Sequence, residues 1–494
     1  MRTSGILLPI TSLPSAYGIG CLSKEAYEFI DQLKEAGQKY WQILPIGPTG
    51  YGDSPYQSFS TYAGNPYFID LEQLIEDGIL YRGECDWTDF GDNPRYVNYE
   101  KIFHARYDML RRAYDRVDVE ELEGYTAFCE AEKSWLDDYA LYMAVKDDFN
   151  GEGFIEWDED IRLRKPEAME HYREKLRVHI NFYRYMQYEF YKQWDKFKAY
   201  AKEQEVEIIG DIPIYVAFDS ADTWAHPELF QFDEEGLPIG VAGCPPDGFC
   251  ATGQLWGNPL YNWEYHKETG YAWWIKRMAH CYRMYDVVRI DHFRGFDEYY
   301  AIPYGNETAE IGEWEPGPGI EIFKALEAAL GEKPVIAEDL GFLTQSVLDL
   351  VEETGYPGMK ILQFAFYAGQ DSDYLPHNYT KNCVVYTGTH DNTTTLDWFQ
   401  IMPEWDKKMI LDYLGVKELH GEDIPWTFIR MAQSSVADTC IIPMQDYLGL
   451  GVEARINEPS TLGMNWEWRM LPGEVKPELI EKIACLCNLY ARKR

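Results

Sequence analysis

Three acidic residues stand at the ends of three short apolar runs. Asp291 closes "VVRIDHF" (287–293), Glu338 closes "PVIAEDL" (334–340), and Asp391 closes "NCVVYTGTHD" (382–391). An unpaired buried charge costs several kcal/mol, so acidic groups at such places need a purpose. Brought together, neighbouring carboxylates resist joint ionisation. One rises in pKa and serves as an acid, while another stays an anion able to attack. Retaining glycosyl transfer uses such a pair, with the carboxyls roughly 5–5.5 Å apart and a covalent glycosyl-enzyme between two displacements. Arg289, two residues before Asp291, shares its strand face and is placed to pair with it, keep it ionised and fix it. His292 and His390 each adjoin an aspartate and are candidate donors to sugar hydroxyls. Taken singly, each carboxylate could equally cap a helix or pair with an arginine. A divalent metal held by the same Asp, Glu and His side chains is the competing chemistry. It is disfavoured because a histidine beside an aspartate on a strand faces the other way.

The elements that must position these residues recur along the chain. Eight apolar runs end in polar or Gly/Pro residues: 5–10, 40–48, 206–216, 287–293, 334–340, 359–364, 382–391 and 440–450. Helical patterns lie between several of them. "SKEAYEFIDQLKEAG" (23–37) has Ser23 as N-cap and Gly37 as stop, and "GIEIFKALEAALGEK" (319–333) precedes the fifth run. Strand, helix, strand, repeated, predicts parallel β with crossover helices, and eight units close a (β/α)8 TIM barrel. An open doubly wound α/β sheet is the alternative, but no Gly-rich phosphate loop follows the first run. In a barrel, polar residues at the C-terminal ends of strands face one mouth, so the three carboxylates converge.

A bare barrel needs about 250 residues, and this chain has 494. The reading is one catalytic barrel over 1–494 carrying large, mostly helical insertions at its C-terminal face. Residues 66–205 form a helical insertion between strands two and three, whose last helix belongs to the barrel. Residues 217–280 form a second insertion, containing a loop at 243–263, and 300–318 a small third one.

Asp plus Glu number 83 against 45 Lys plus Arg, a formal net charge of −38. That argues against polyanionic partners such as nucleic acid or an anionic membrane. Trp (16), Tyr (38) and Phe (23) are abundant enough to fill a core and still offer faces to sugar rings. The ten cysteines form no C-x-x-C pair and no zinc spacing, the usage of a reducing compartment. Cys485 and Cys487 lie two apart on a predicted helix and so face different ways. The N-terminal apolar run is interrupted by Pro9, too short for a signal-peptide core. No run reaches the ~18 apolar residues of a membrane span. The expected location is the cytoplasm.

"RIDHFRG" (289–295), "AEDLG" (337–341) and "THDN" (389–392) resemble motifs of the amylomaltase family, the 4-α-glucanotransferases of the α-amylase superfamily. The resemblance extends to "GPTGYGDSPYQSFSTYAGNPY" (47–67), "GDIPIYVAFDSADTWAHPELF" (210–230) and "GCPPDGFCATGQLWGNPLYNW" (243–263), and so covers most of the chain in order. The α-amylases usually append a β-sandwich, and the residues after 450 leave no room for one. The resemblance implies Asp291 as nucleophile and Glu338 as general acid/base. Asp391 would hold hydroxyls of a distorted sugar. Arg289 would orient Asp291, His390 would grip the donor sugar, and Asp211 would hold the structure around that subsite. Asp247, Phe249 and Trp256 would touch the glucan from the 243–263 loop, with Tyr51, Ser54 and Tyr56 as further contacts from 47–67. Asn465, in "GMNWEWR", would be another. The implied reaction moves an α-1,4-glucan segment between maltooligosaccharides and needs no cofactor or metal. An α-amylase-type hydrolase using the same carboxylates, and a non-catalytic glucan-binding barrel, are the rivals.

Overall fold

Each of the eight apolar runs supplies one strand: β1 (Thr3–Leu7), β2 (Tyr40–Gln42), β3 (Glu207–Pro213), β4 (Val287–Asp291), β5 (Val335–Ala337), β6 (Gly358–Ile361), β7 (Cys383–Tyr386) and β8 (Thr439–Pro443). This computed structural model describes residues 2–50, 52–246, 251–341, 343–367 and 371–493. The strands pair side by side in the order β6-β7-β8-β1-β2-β3-β4-β5, all parallel. The ring closes where the Ala337 N–H, at the end of β5, donates to the Pro357 carbonyl at 3.0 Å, just before β6.

Strand residues alternate between two buried faces. Leu7, Ile209, Val287, Ile336, Met359, Ile361, Val384, Tyr386 and Ile441 pack together inside the barrel. Ile6, Trp41, Ile208, Val288, Ile290, Val385 and Ile442 join the larger core outside it. The inward face turns polar toward the C-terminal ends. The register pairs Asp211 with Arg289, and β4 with β5 through Ile290 and Ala337. Continuing that register by one residue brings Asp291 beside Glu338. The Glu338 N–H donates to Ile290 C=O and the Phe293 N–H to Glu338 C=O, each at 3.1 Å.

Helices cover the outside. In Lys24–Glu35 the buried residues are Ala26, Phe29, Ile30 and Leu33, one helical stripe. Gly37, at φ +70°, ends it: its N–H donates to Lys34 C=O and the Gln38 N–H to Leu33 C=O. Between β2 and β3 run Tyr99–Arg116, Tyr125–Asp148 and Arg177–Glu203. Phe197 of the last of these meets the Trp41 ring of β2 at 5.8 Å. Helix Pro477–Leu489 follows the barrel, with Cys485 exposed and Cys487 buried. Beyond it, fully buried Arg492 donates to the carbonyls of Thr3, Gln433 and Ala437, fastening the chain end beside the start of β1. No described helix is long and apolar enough to cross a membrane.

One architectural feature differs from the expectation of helical additions. Strands Gly240–Cys244, Gln254–Pro259, Glu298–Pro303 and Glu313–Pro316 form a separate antiparallel sheet. These strands are short and punctuated by Gly and Pro, so no long alternation marks them.

Candidate active site

The inward-facing side chains of β3 and β4 meet in a buried ion pair. Arg289 Nη1 donates to both carboxylate oxygens of Asp211 at 2.7 Å and reaches Asp291 Oδ1 at 3.1 Å. Arg289 is 3% and Asp211 0% exposed. Burial alone would push the guanidinium down, but Asp211 and then Asp291 hold it well above its usual range. The expectation that Arg289 serves Asp291 first therefore changes. Its principal partner lies on the neighbouring strand, and Asp291 receives its remaining reach.

Asp291 keeps 29% of its side chain exposed, the access an attacking group needs. Burial pushes its carboxyl up to about 6. Arg289 opposes the rise, while Asp211 and Asp391 add to it. The arginine thus limits the shift and does not reverse it. Glu338 rises further, to about 8, through burial and then the charge of Asp291. Two backbone donors hold it in place: His292 N–H to Oε2 at 2.7 Å and Leu340 N–H to Oε1 at 3.0 Å. The two carboxyls are thus raised unequally, Glu338 above Asp291, the kind of separation on which glycosidic chemistry relies.

Asp391 sits in the loop after β7. Its Oδ1 accepts from Asn457 Nδ2 at 2.7 Å and lies 3.4 Å from His390 Nε2. Tyr56 ties this corner to the ion pair. Its hydroxyl donates to Asp211 Oδ2 at 2.8 Å and is 3.0 Å from His390 Nε2. The single hydroxyl proton is spent on Asp211, so His390 Nε2 donates to the Tyr56 oxygen. The two rings also stack, at 5.2 Å and 21°. The premise that His390 must face away from Asp391 fails, because β7 ends at Tyr386 and strand alternation stops there.

His292 adopts a left-handed φ of 52°, and its backbone N–H donates to Glu338. Its ring meets Trp256 edge-on at 4.7 Å, with Tyr215 at 6.3 Å. Burial pushes the imidazole down to about 3, so it is neutral. Its Nε2 has no hydrogen-bond partner among the described residues and remains available as a hydrogen-bonding group.

Ser54 accepts from the Tyr56 N–H at 3.3 Å and shapes the turn that presents Tyr56. Tyr51, Asp247 and Phe249 lie outside the described residues. Asn465 does not join the carboxylates. It is half-buried, accepts from Glu458 N–H at 2.9 Å and donates to Thr461 C=O at 3.0 Å, so its amide is engaged in a local turn. Its neighbour Trp466 faces the site, 5.9 Å from Tyr56 and 6.0 Å from His390. Asn457 and Trp466 are the residues that sequence reasoning missed. The only signal for either was a polar or aromatic residue in an irregular stretch. Among the described residues, no group of three His, Cys, Asp or Glu side chains is arranged to hold a metal ion.

A parallel eight-stranded barrel with carboxylates of unequal acidity at the C-terminal ends of its strands defines a class: barrel enzymes acting on glycosidic bonds. The sequence profile described as 4-alpha-glucanotransferase matches residues 8–474, and the chain belongs to that family. It is 49% identical to the 4-alpha-glucanotransferase of Clostridium butyricum, over 98% of this chain and 99% of the relative. It is 48% identical to that of Streptococcus pneumoniae serotype 4, over 99% and 97%. Among solved structures it resembles the amylomaltase from Streptococcus agalactiae in complex with acarbose, with a TM-score of 0.97, 41% identity and full coverage of both chains. The family and barrel expected from the motifs are thereby borne out.

Proposed function

We propose that this enzyme moves an α-1,4-glucan segment from one maltooligosaccharide to the 4-hydroxyl of another by double displacement at Asp291 and Glu338. Asp291 attacks C1 of the donor sugar. The glycosidic C1–O bond breaks, and the leaving oxygen takes the Glu338 proton. The reducing-end piece departs and leaves a glycosyl ester on Asp291. An acceptor 4-hydroxyl then attacks C1, its proton passes to Glu338, and the Asp291 carboxylate is released.

The observation that carries this reading is the unequal pair: Glu338, pushed up to about 8, fixed by the backbone N–H next to Asp291, itself near 6. Asp391, held by Asn457, would bind hydroxyls of the strained sugar, and His390 and Tyr56, bonded to each other, would grip the same ring. Arg289 and Asp211 brace the floor. Trp256 packs against His292 and Trp466 against His390, so both rings border the proposed sugar site. The S. agalactiae relative is in complex with acarbose, which supports a saccharide as ligand. Asp247, Phe249 and Tyr51 remain proposed glucan contacts by family resemblance.

The helical segments at 66–205 and the strand-and-loop segment around 243–263 are proposed to keep water from the glycosyl ester. The net charge of −38 favours neutral glucan over nucleic acid or an anionic membrane. The cysteine usage fits a cytoplasmic enzyme.

Pure maltotriose tests the reading. A transferase makes a ladder of longer and shorter oligomers at constant reducing-end count. A rising count with no longer oligomers would identify a hydrolase instead.

A further inference from the structure

Gln57 follows Tyr56 in the loop after β2. Its Nε2 donates to Asn258 Oδ1 at 3.1 Å and lies 3.5 Å from the Trp256 carbonyl. Asn258 is buried, and its Nδ2 donates to the Val216 carbonyl at 2.7 Å, just past β3. This chain of bonds fixes both amides. The Val216 carbonyl only accepts, so Asn258 must turn its oxygen to Gln57, and Gln57 must answer with its NH2 group.

The link joins two walls of the site. On one side stands Tyr56, bonded to Asp211 and His390. On the other stands Trp256, edge-on to His292, whose backbone N–H holds Glu338. The hydrogen bonds of Gln57 go to the Trp256 segment and not to the carboxylates. Its effect on the chemistry must therefore pass through the walls it connects.

We propose that Gln57 is a positioning residue: it latches the loop after β2 to the Trp256 strand and so sets how often the glycosyl-enzyme is captured by a sugar hydroxyl and how often by water. This rests on the double-displacement function above. Both acceptors react identically at C1: an O–H bond breaks, its proton goes to Glu338, and the C1–O bond to Asp291 is cleaved. Water is far more concentrated than any sugar, so selection depends on walls that stay closed while the ester waits. A latch between two loops lowers the fraction of time they stand apart.

The test uses the full-length enzyme with maltotriose. New reducing ends count captures by water, and longer oligomers count transfers. In Gln57→Met, which keeps the length but removes the donor, the water-captured fraction rises about five-fold, the equivalent of roughly 1 kcal/mol for one hydrogen bond. In Gln57→Glu it rises further, because a carboxylate then faces two oxygens that only accept. The double variant Gln57→Met/Asn258→Ala behaves like Asn258→Ala alone, since both act through one contact. The fraction is an internal ratio read only from active molecules, so partial misfolding does not mimic the effect. A water-captured fraction within about two-fold of wild type in both Gln57 variants would overturn the proposal, as would additive effects in the double variant. Wild-type protein that makes no ladder at all would overturn the function beneath it, a separate and recognisable failure.

Discussion

Glu338 accepts a hydrogen bond from the backbone N–H of His292 at 2.7 Å, and His292 directly follows Asp291. The proposed proton carrier is thus fastened to the backbone beside the proposed nucleophile. Their backbones are set side by side by β4 and β5, which pair in register. Directly after that N–H the chain turns at His292 through a left-handed φ, a conformation non-glycine residues seldom adopt.

The pair makes activity a bell-shaped function of pH. Asp291 must be ionised, and its carboxyl is raised to about 6, so kcat/KM falls as pH drops through that region. Glu338 must be protonated for the first step, and its carboxyl is raised to about 8, so kcat/KM falls again as pH rises through that value. A kcat/KM profile measured with maltotriose should peak between the two limbs. A profile still rising above pH 9 would contradict the assignment of Glu338 as the acid.

Asp211 is one of the charges that raise Asp291. Asp211→Asn should therefore move the acid limb of the profile to lower pH. It should also destabilise the fold by roughly 3–5 kcal/mol, because it leaves buried Arg289 without its principal partner. Thermal unfolding and the pH profile of the same preparation check both effects.

Asn457 holds Asp391 through a charge-assisted bond at 2.7 Å. Asn457→Ala should lower kcat by roughly ten- to a hundred-fold, the worth of a hydrogen bond to a charged group, with little change in melting temperature. Asn457→Asp should be worse, because it sets a second carboxylate against Asp391. Steady-state kinetics with maltotriose separate these cases. Unchanged kcat in Asn457→Ala would mean that Asp391 is held by other means.

The barrel was legible because each strand is a short run buried on both faces, and the three carboxylates because they stand where those runs end. The partner of Arg289 was not. Spacing along β4 puts Arg289 on the same face as Asp291, but Asp211 reaches it through the register between strands, which no local pattern encodes. The orientation of His390 was misread because the period-two rule was carried past the end of β7. Asn457 and Asn465 lie in one irregular stretch without periodicity. Only the folded path of that stretch shows that Asn457 reaches Asp391 while Asn465 closes its own turn.

Exhaustive chelation should leave the rate of oligomer redistribution unchanged, because every proposed step uses carboxylates and hydrogen bonds of this chain. Activity lost on chelation and restored by one divalent ion would move the chemistry elsewhere.

The central claim is that Asp291 carries the sugar and Glu338 carries the proton. Loss of a general acid costs on the order of 10²–10⁴ in rate, but an α-glucosyl fluoride needs no proton to leave. Glu338→Gln given that donor should accumulate a sugar bound covalently to the protein, because the base for the second step is also missing. Both Glu338 oxygens accept from backbone N–H groups, and a glutamine amide satisfies only one, so Glu338→Ala serves as a second trap. Mass spectrometry of a digest should place the sugar on the peptide containing Asp291. The same donor should leave no adduct on Asp291→Asn. A sugar found on Asp391, or turnover persisting in Asp291→Asn, would contradict the account.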